Sequence, residues 1–228
     1  LFSDVLSFLP RRPALRILDG TLGMGGHAEG MLRLLRDAGI EAELIGLDRD
    51  GAALELAGER LAGFGGKVAL ERAKFSEFAR VLDEKGWESV DFALVDIGVS
   101  SLQIDSPERG FSFSADGPLD MRMDPDSGRP ASALVNKAPV GTLRTLIAEL
   151  GEEPMAARIA RAIDDARSQA PIESTAQLAH IVEQAYPAKW RATARNHPAT
   201  RTFQALRMEV NNELGELADF LSGIVPRL

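Results

Sequence analysis

The sequence predicts an α/β fold, a doubly wound parallel sheet carrying an inserted all-helical domain. Three observations predict it. Four short apolar runs, at 15–19, 44–48, 68–70 and 90–96, each lead onward, and three of them close on an acid: Asp19, Asp48 and Asp96. A loop with four glycines, Gly20, Gly23, Gly25 and Gly26, follows the first run. Beyond Asp96 the strand pattern stops, and helical periodicity dominates from Ala131 to Tyr186. Strand–helix alternation builds a parallel sheet with right-handed crossovers, and its ligand lies across the carboxyl ends of the strands. The division that follows is a sheet-bearing domain of 1–105 and 200–228 and a helical insertion of 106–199 that would recognise the substrate.

Taken in order, Phe2, Val5, Leu6, Phe8 and Leu9 form a short amphipathic helix that Pro10 and Pro13 end. The first strand, Leu15 to Asp19, passes through the glycine loop into a helix with Met31, Leu32, Leu34 and Leu35 that runs to about Gly39. Leu44 to Asp48 is the second strand, and Asp50 caps the helix that runs to Leu61. Val68 to Leu70 is the third strand, followed by Phe75 and a helix from Ser76 to about Lys85. The fourth strand is Val90 to Asp96. From Ser106 to Pro130 no periodicity is present, yet aromatics and paired methionines argue for an ordered, functional loop. Helices are expected around 140–150, 155–166 and 174–185, and a last one from Pro198 with Phe203, Leu206, Val210, Leu214 and Leu217 on one face, running back to the sheet. A seven-stranded sheet would need further strands, and these are expected beyond Leu228.

The glycine loop by itself marks a nucleotide-type cofactor site, since bare backbone can approach a ligand where a Cβ could not. Gly23, Gly25 and Ala28 satisfy a loose G-x-G-x-x-A pattern, and Asp48 stands where a ribose-binding acid belongs. A nicotinamide cofactor is therefore one reading. Against it stands Asp19 at the strand tip. A carboxylate about 4 Å from a pyrophosphate costs about 1 kcal/mol in water and about 4 kcal/mol in a partly buried site. S-adenosylmethionine carries a sulfonium and an ammonium and no phosphate, so acids at strand tips attract it. Phe75, just past the third strand, is placed to wall an adenine or simply to fill the core.

With 45% hydrophobic residues in 228, the chain can bury a sizeable core as one domain with an insertion. No apolar run approaches the roughly 20 residues of a membrane span, and the first residues lack signal-peptide order, so a cytoplasmic location is the expectation. There is no cysteine and there are only three histidines, so disulfides and thiolate metal sites are excluded and no metal is expected. Methylation of cytosine at C5, which begins with thiolate attack on the ring, is excluded as well. A net charge of −8 argues against indiscriminate coating of nucleic acid. Between Gln184 and Met208, however, Lys189, Arg191, Arg195, Arg201 and Arg207 occur with no acid among them. Such a stretch is either a phosphate-gripping surface or a solvated helix face.

Four longer motifs narrow the choice. They are Asp19 to His27 (Asp-Gly-Thr-Leu-Gly-Met-Gly-Gly-His), Asp96 to Gln103 (Asp-Ile-Gly-Val-Ser-Ser-Leu-Gln), Arg109 to Asp124, and His197 to Arg207. In this order they resemble the bacterial ribosomal small-subunit RNA cytosine-N4 methyltransferase family over almost the whole chain. The resemblance implies a class I, Rossmann-like S-adenosylmethionine enzyme that methylates the exocyclic amine of a cytidine in the decoding region, with small-subunit RNA or the small subunit as partner. It further implies that Gly25, Gly26 and His27 line the methionine end of the cofactor, that Asp48 takes the ribose hydroxyls, that Phe75 flanks the adenine, and that Asp96 and Gln103 complete the site. Pro154, after Gly151, Glu152 and Glu153, departs from the pattern, which tends to place an arginine there.

On this reading Asp96 and the backbone of Ile97 to Ser101 position the target amine, which must be held in line with the methyl group. Arg109, Phe111 and Phe113 are candidates either to wall the target base or simply to build a structural loop, and the five cations from Lys189 to Arg207 are candidates to grip phosphates. The rivals are a nicotinamide-dependent oxidoreductase, which would share the loop and Asp48, and a non-catalytic RNA-binding assembly factor, which would need no cofactor.

Overall fold

The computed structural model describes residues 2–193 and 196–228, with the backbone alone for residues 2, 3 and 191–193. The elements, in order, are α1 (Phe2–Ser7), β1 (Ala14–Asp19), α2 (Gly26–Asp37), β2 (Glu41–Asp48), α3 (Gly51–Leu61), β3 (Val68–Arg72), α4 (Phe78–Glu84) and β4 (Phe92–Leu94). They continue with α5 (Ser101–Ile104), α6 (Ala131–Lys137), α7 (Val140–Glu149), α8 (Ala156–Gln169), α9 (Thr175–Ala185), α10 (Ala188–Thr193), α11 (Ala199–Val210) and α12 (Glu213–Ile224). The chain falls into two compact units, Leu1–Gly98 with Leu214–Leu228, and Val99–Glu213.

In the first unit all four strands are parallel, in the order β3-β2-β1-β4. Asp19 lies opposite Gly46 on β2 and Leu94 on β4, so the chain reverses its direction of growth at β1. A crevice at such a switch point is where open α/β sheets bind ligands. Side chains alternate between two cores, as the two-residue period demands. Leu15, Ile17 and Leu44 pack with Met31, Leu32 and Leu35 of α2 and with Ala57 and Leu61 of α3. Leu18, Ile45 and Leu47 pack on the other face with Phe78, Val81 and Leu82 of α4 and with Phe220 and Ile224 of α12. The sheet is therefore covered by helices on both faces, the doubly wound arrangement.

Several expected bounds move. β4 is only Phe92–Leu94, so Asp96 stands in the loop beyond the strand rather than at its last residue. The helix expected from Ser76 begins as a 3-10 turn, Phe75–Glu77, before α4. Asp50 does cap α3, accepting the Ala52 N–H at 3.2 Å.

The larger correction concerns the last helix. The apolar stripe from Phe203 to Leu217 predicts one helix returning to the sheet, and the structure has two. The break is at Asn211 and Asn212, the latter in the left-handed region at φ 49°. Asn211 donates from Nδ2 to the carbonyls of Met121 (2.8 Å) and Arg207 (2.9 Å) and accepts the Met123 N–H at Oδ1 (2.8 Å). A side chain committed to backbone partners in this way competes with helix continuation. Phe203 and Leu206 on α11 then belong to the core of the second unit, with Leu143, Ile147, Ile159 and Leu178, while Phe220 on α12 belongs to the sheet.

The 106–130 stretch is ordered in the second unit. Leu119 and Met121 are fully buried. Arg109 donates to the carbonyls of Arg122 (3.2 Å) and Met123 (2.9 Å), and the Met121 N–H returns to the Arg109 carbonyl.

Candidate functional site

The site is built from the tip of β1 outward. After Asp19 the chain keeps its pairing for one more residue, because the Gly20 N–H reaches the Leu94 carbonyl at 2.8 Å. A Cβ on Gly20 would lie 2.9 Å from Val95 and 3.0 Å from Phe75, so only glycine lets the loop pass there. Leu22 then donates its N–H to the Leu47 carbonyl (2.9 Å) and Gly23 its N–H to Asp48 Oδ2 (2.7 Å), which ties the loop to β2. On the other side Thr21 Oγ1 accepts the Asp96 N–H at 2.6 Å, tying it to the segment after β4. Gly25 turns the chain into α2 at φ 77°, and no side chain caps that helix.

These bonds gather three carboxylates. Asp19 is buried, at 1% exposure, and its Oδ1 accepts the Thr21 N–H at 3.2 Å. Burial pushes its carboxyl up to about 7; the Thr21 bond opposes this, and the charges of Asp48 and Asp96 reinforce it. Asp48 is raised too, mainly by burial, against the bonds its two oxygens accept from the N–H groups of Asp50 (2.9 Å) and Gly23. Each carboxylate oxygen has two lone-pair directions, so Asp48 retains capacity for further donors. Asp96 is exposed. A site with this donor set repels a pyrophosphate and suits a cation with hydroxyl donors. S-adenosylmethionine has both, and the residues present fit it better than a nicotinamide dinucleotide.

The structure distributes the remaining expected residues as follows. Gly26 is exposed and His27 half-buried in the first turn of α2. Phe75 is largely in the core, 6% exposed, with its ring edge-on to Phe220 at 5.8 Å. Gln103 belongs to the second unit, where its Oε1 accepts the Ser100 N–H in a capping box that opens α5. Also in that unit, the Arg109 guanidinium lies 5.9 Å from the Phe111 ring, Phe111 packs against the helical core, and Phe113 meets His197 at a tilt (4.6 Å) and Phe203 edge-on (4.8 Å).

Among the five cations, Lys189 is exposed on α10. Arg191 is on the same helix, its side chain undescribed, and Arg195 lies outside the described residues. Arg201 is exposed and donates to the Glu152 carbonyl at 2.8 Å. Arg207 forks onto Glu213, with bonds of 2.7 and 3.0 Å.

Three residues that sequence reasoning passed over matter here. Thr21 couples β1 to the Asp96 segment, and a hydroxyl two residues past a strand-tip acid was its signal. Asn211 sets the helix break. Glu216, 4% exposed, takes Lys74 at 3.0 Å and the Ser76 hydroxyl, anchoring α12 to the turn that carries Phe75. It stands four residues before Phe220 and eight before Ile224, an acid in an apolar stripe, and that was legible.

Among the described residues no helix is long and apolar enough to cross a membrane, and no group of three His, Asp or Glu is placed to hold a metal ion. Comparison with known proteins adds one family and a set of close relatives. The sequence model of the MraW methylase family matches residues 1–228. A protein of Nitratidesulfovibrio vulgaris named Ribosomal RNA small subunit methyltransferase H is 61% identical over 228 residues, covering all of this chain and 70% of its own length. Proteins of the same name from Maridesulfovibrio salexigens and Lawsonia intracellularis are 54% identical over 229 residues and 49% over 226, covering 70% and 72% of their own lengths.

Proposed function

Since this chain belongs to the MraW methylase family, we propose that it transfers a methyl group from S-adenosylmethionine to the exocyclic N4 amine of a cytidine in small-subunit ribosomal RNA. The observation that carries the reading is the gathering of Asp19, Asp48 and Asp96 around the tip of β1. The names of the relatives support ribosomal RNA as the substrate. The cytosine amine rests on the four-motif resemblance, with a position in the decoding region as its finer form.

Bound at this site, the cofactor would supply an electrophilic methyl group on sulfur. Asp48 would accept from the ribose hydroxyls while its backbone bonds to Gly23 and Asp50 hold it in place. Gly25, Gly26 and His27 would line the methionine end, and Phe75 would flank the adenine. Asp96 would accept a hydrogen bond from the target amine. That contact keeps electron density on a nitrogen whose lone pair is otherwise drawn into the ring, and it orients the amine for in-line attack. The Thr21 bond to the Asp96 backbone fixes the carboxylate's starting point. The proton leaves to water after transfer, so no dedicated base is required. The target base would be extruded to reach the site, and Arg109 and Phe111 are candidates to contact the RNA. Lys189, Arg191, Arg195 and Arg201 would meet phosphates, whereas the charge of Arg207 is offset within the chain by Glu213.

The test is incubation of the protein with S-adenosylmethionine and small-subunit RNA, as free RNA and as assembled subunit, followed by nucleoside mass spectrometry. N4-methylcytidine is the expected product, and Asp96→Asn should lower its rate even at saturating S-adenosylmethionine. Methylation at another base or atom, or parental activity in the variant, would overturn the respective assignment.

A further inference from the structure

Trp190 has no part in the site described above, and it is the larger of two very different tryptophans in exposure. Trp87 is packed in the sheet core at 9% exposure, whereas Trp190, on α10, is 48% exposed. A half-exposed indole keeps part of its ring within reach of a ligand. Its surroundings in sequence are equally unusual. Lys189 and Arg191 are its immediate neighbours, Tyr186 precedes it by four residues, and no acid occurs from Gln184 to Met208 in a chain of net charge −8. The Trp190 backbone N–H donates to the Pro187 carbonyl at 2.9 Å, in the first turn of α10 directly after Tyr186 and Pro187.

We propose that α10 is a single-stranded RNA platform on which Trp190 stacks an unpaired base while Lys189 pairs with a flanking phosphate. The proposal rests on the RNA-methyltransferase reading and names the form of RNA it takes. Charge complementarity selects the partner: an acid-free cationic stretch suits a polyanion. The aromatic selects its form, because every unpaired base has an exposed π-face and a base inside a duplex has none. Stacking is indifferent to base identity, so Trp190 contributes affinity and register, and the cations contribute the salt dependence.

The experiment uses the full chain and two probes, a short single-stranded oligoribonucleotide rich in cytidine and a blunt duplex of the same sequence. In a Trp87→Phe background the remaining indole emission should be quenched on titration with the single strand. Trp190→Ala should weaken single-strand binding about tenfold, with Trp190→Phe recovering most of it. The salt slope should be unchanged in Trp190→Ala and lowered by about 0.7 in Lys189→Gln. In methylation assays the loss should fall on KM for RNA rather than on kcat or on KM for S-adenosylmethionine. Equal binding by Trp190→Ala and the parent, or an equal loss on the duplex, would overturn the platform, and a quench by acidic protein but not by RNA would assign the surface to a protein partner instead. Failure of the parent protein to methylate any RNA would instead count against the function itself.

Discussion

Asp19→Asn tests the electrostatic core of the site. The carboxyl of Asp19 rises from 3.8 in a free chain to about 7 when folded, chiefly because burial disfavours its charge. At about 1.4 kcal/mol for each tenfold in proton affinity, that rise is worth about 4 kcal/mol. Because the folded value is the higher one, the native protein binds more protons than the unfolded chain between the two. The stability held below about pH 4 is lost as pH rises through about 7. Asparagine keeps the oxygen that accepts the Thr21 N–H and removes the charge that faces Asp48 and Asp96.

In urea unfolding from about pH 4 to about pH 9, the variant should therefore match the parent at the acid end and gain on it by about 3 to 4 kcal/mol at the alkaline end. Cofactor affinity should move the other way. A cation at the site favours ionised Asp19, so parental affinity for S-adenosylmethionine should climb as pH rises through about 7, while the variant binds more weakly and with a flatter profile. Parallel stability curves for the two proteins across this window would refute the reasoning, since they would mean that Asp19 does not carry the ionisation cost.

Three further outcomes follow from particular contacts. Asn211→Ala should cost about 2 to 4 kcal/mol in chemical denaturation, because the buried Met123 N–H and Met121 carbonyl lose their partner; an effect below about 1 kcal/mol would show that the helix break does not depend on it. Gly25→Ala should cost at least about 1 to 2 kcal/mol, since φ 77° is strained for any residue with a Cβ and that atom would press Ala57 and Leu61 at 3.3 Å; cofactor Kd measured alongside should rise. Glu216→Gln should cost about 1 kcal/mol by thermal unfolding, a modest figure because Lys74 is 49% exposed and solvent screens the pair.

The glycine loop and its acids were legible because their code is local. A strand-tip acid, a glycine that must pass between Val95 and Phe75, and a glycine at positive φ each need only their neighbours to be recognised. The two-residue alternation of Ile17 and Leu18 likewise declares a sheet with two covered faces. The broken last helix was not legible. Its stripe is continuous in sequence, and the break depends on partners of Asn211 some 90 residues earlier in the chain. The same holds for Arg207, which reads as a free cation until Glu213 folds back onto it, and for Phe75, whose exposure is set by Phe220 on a helix far along the chain.

By itself, then, the sequence determined the strand–loop–helix unit, the acids Asp19 and Asp48 at strand tips, the helical insertion and the exclusion of thiolate chemistry, all properties of residue type and short-range spacing. The tertiary structure decided where the last apolar stripe divides between two cores, which cations are already paired within the chain, and how far Asp19 departs from an ordinary carboxyl. Those quantities depend on burial and on distances between residues remote in sequence, and only the packed chain fixes them.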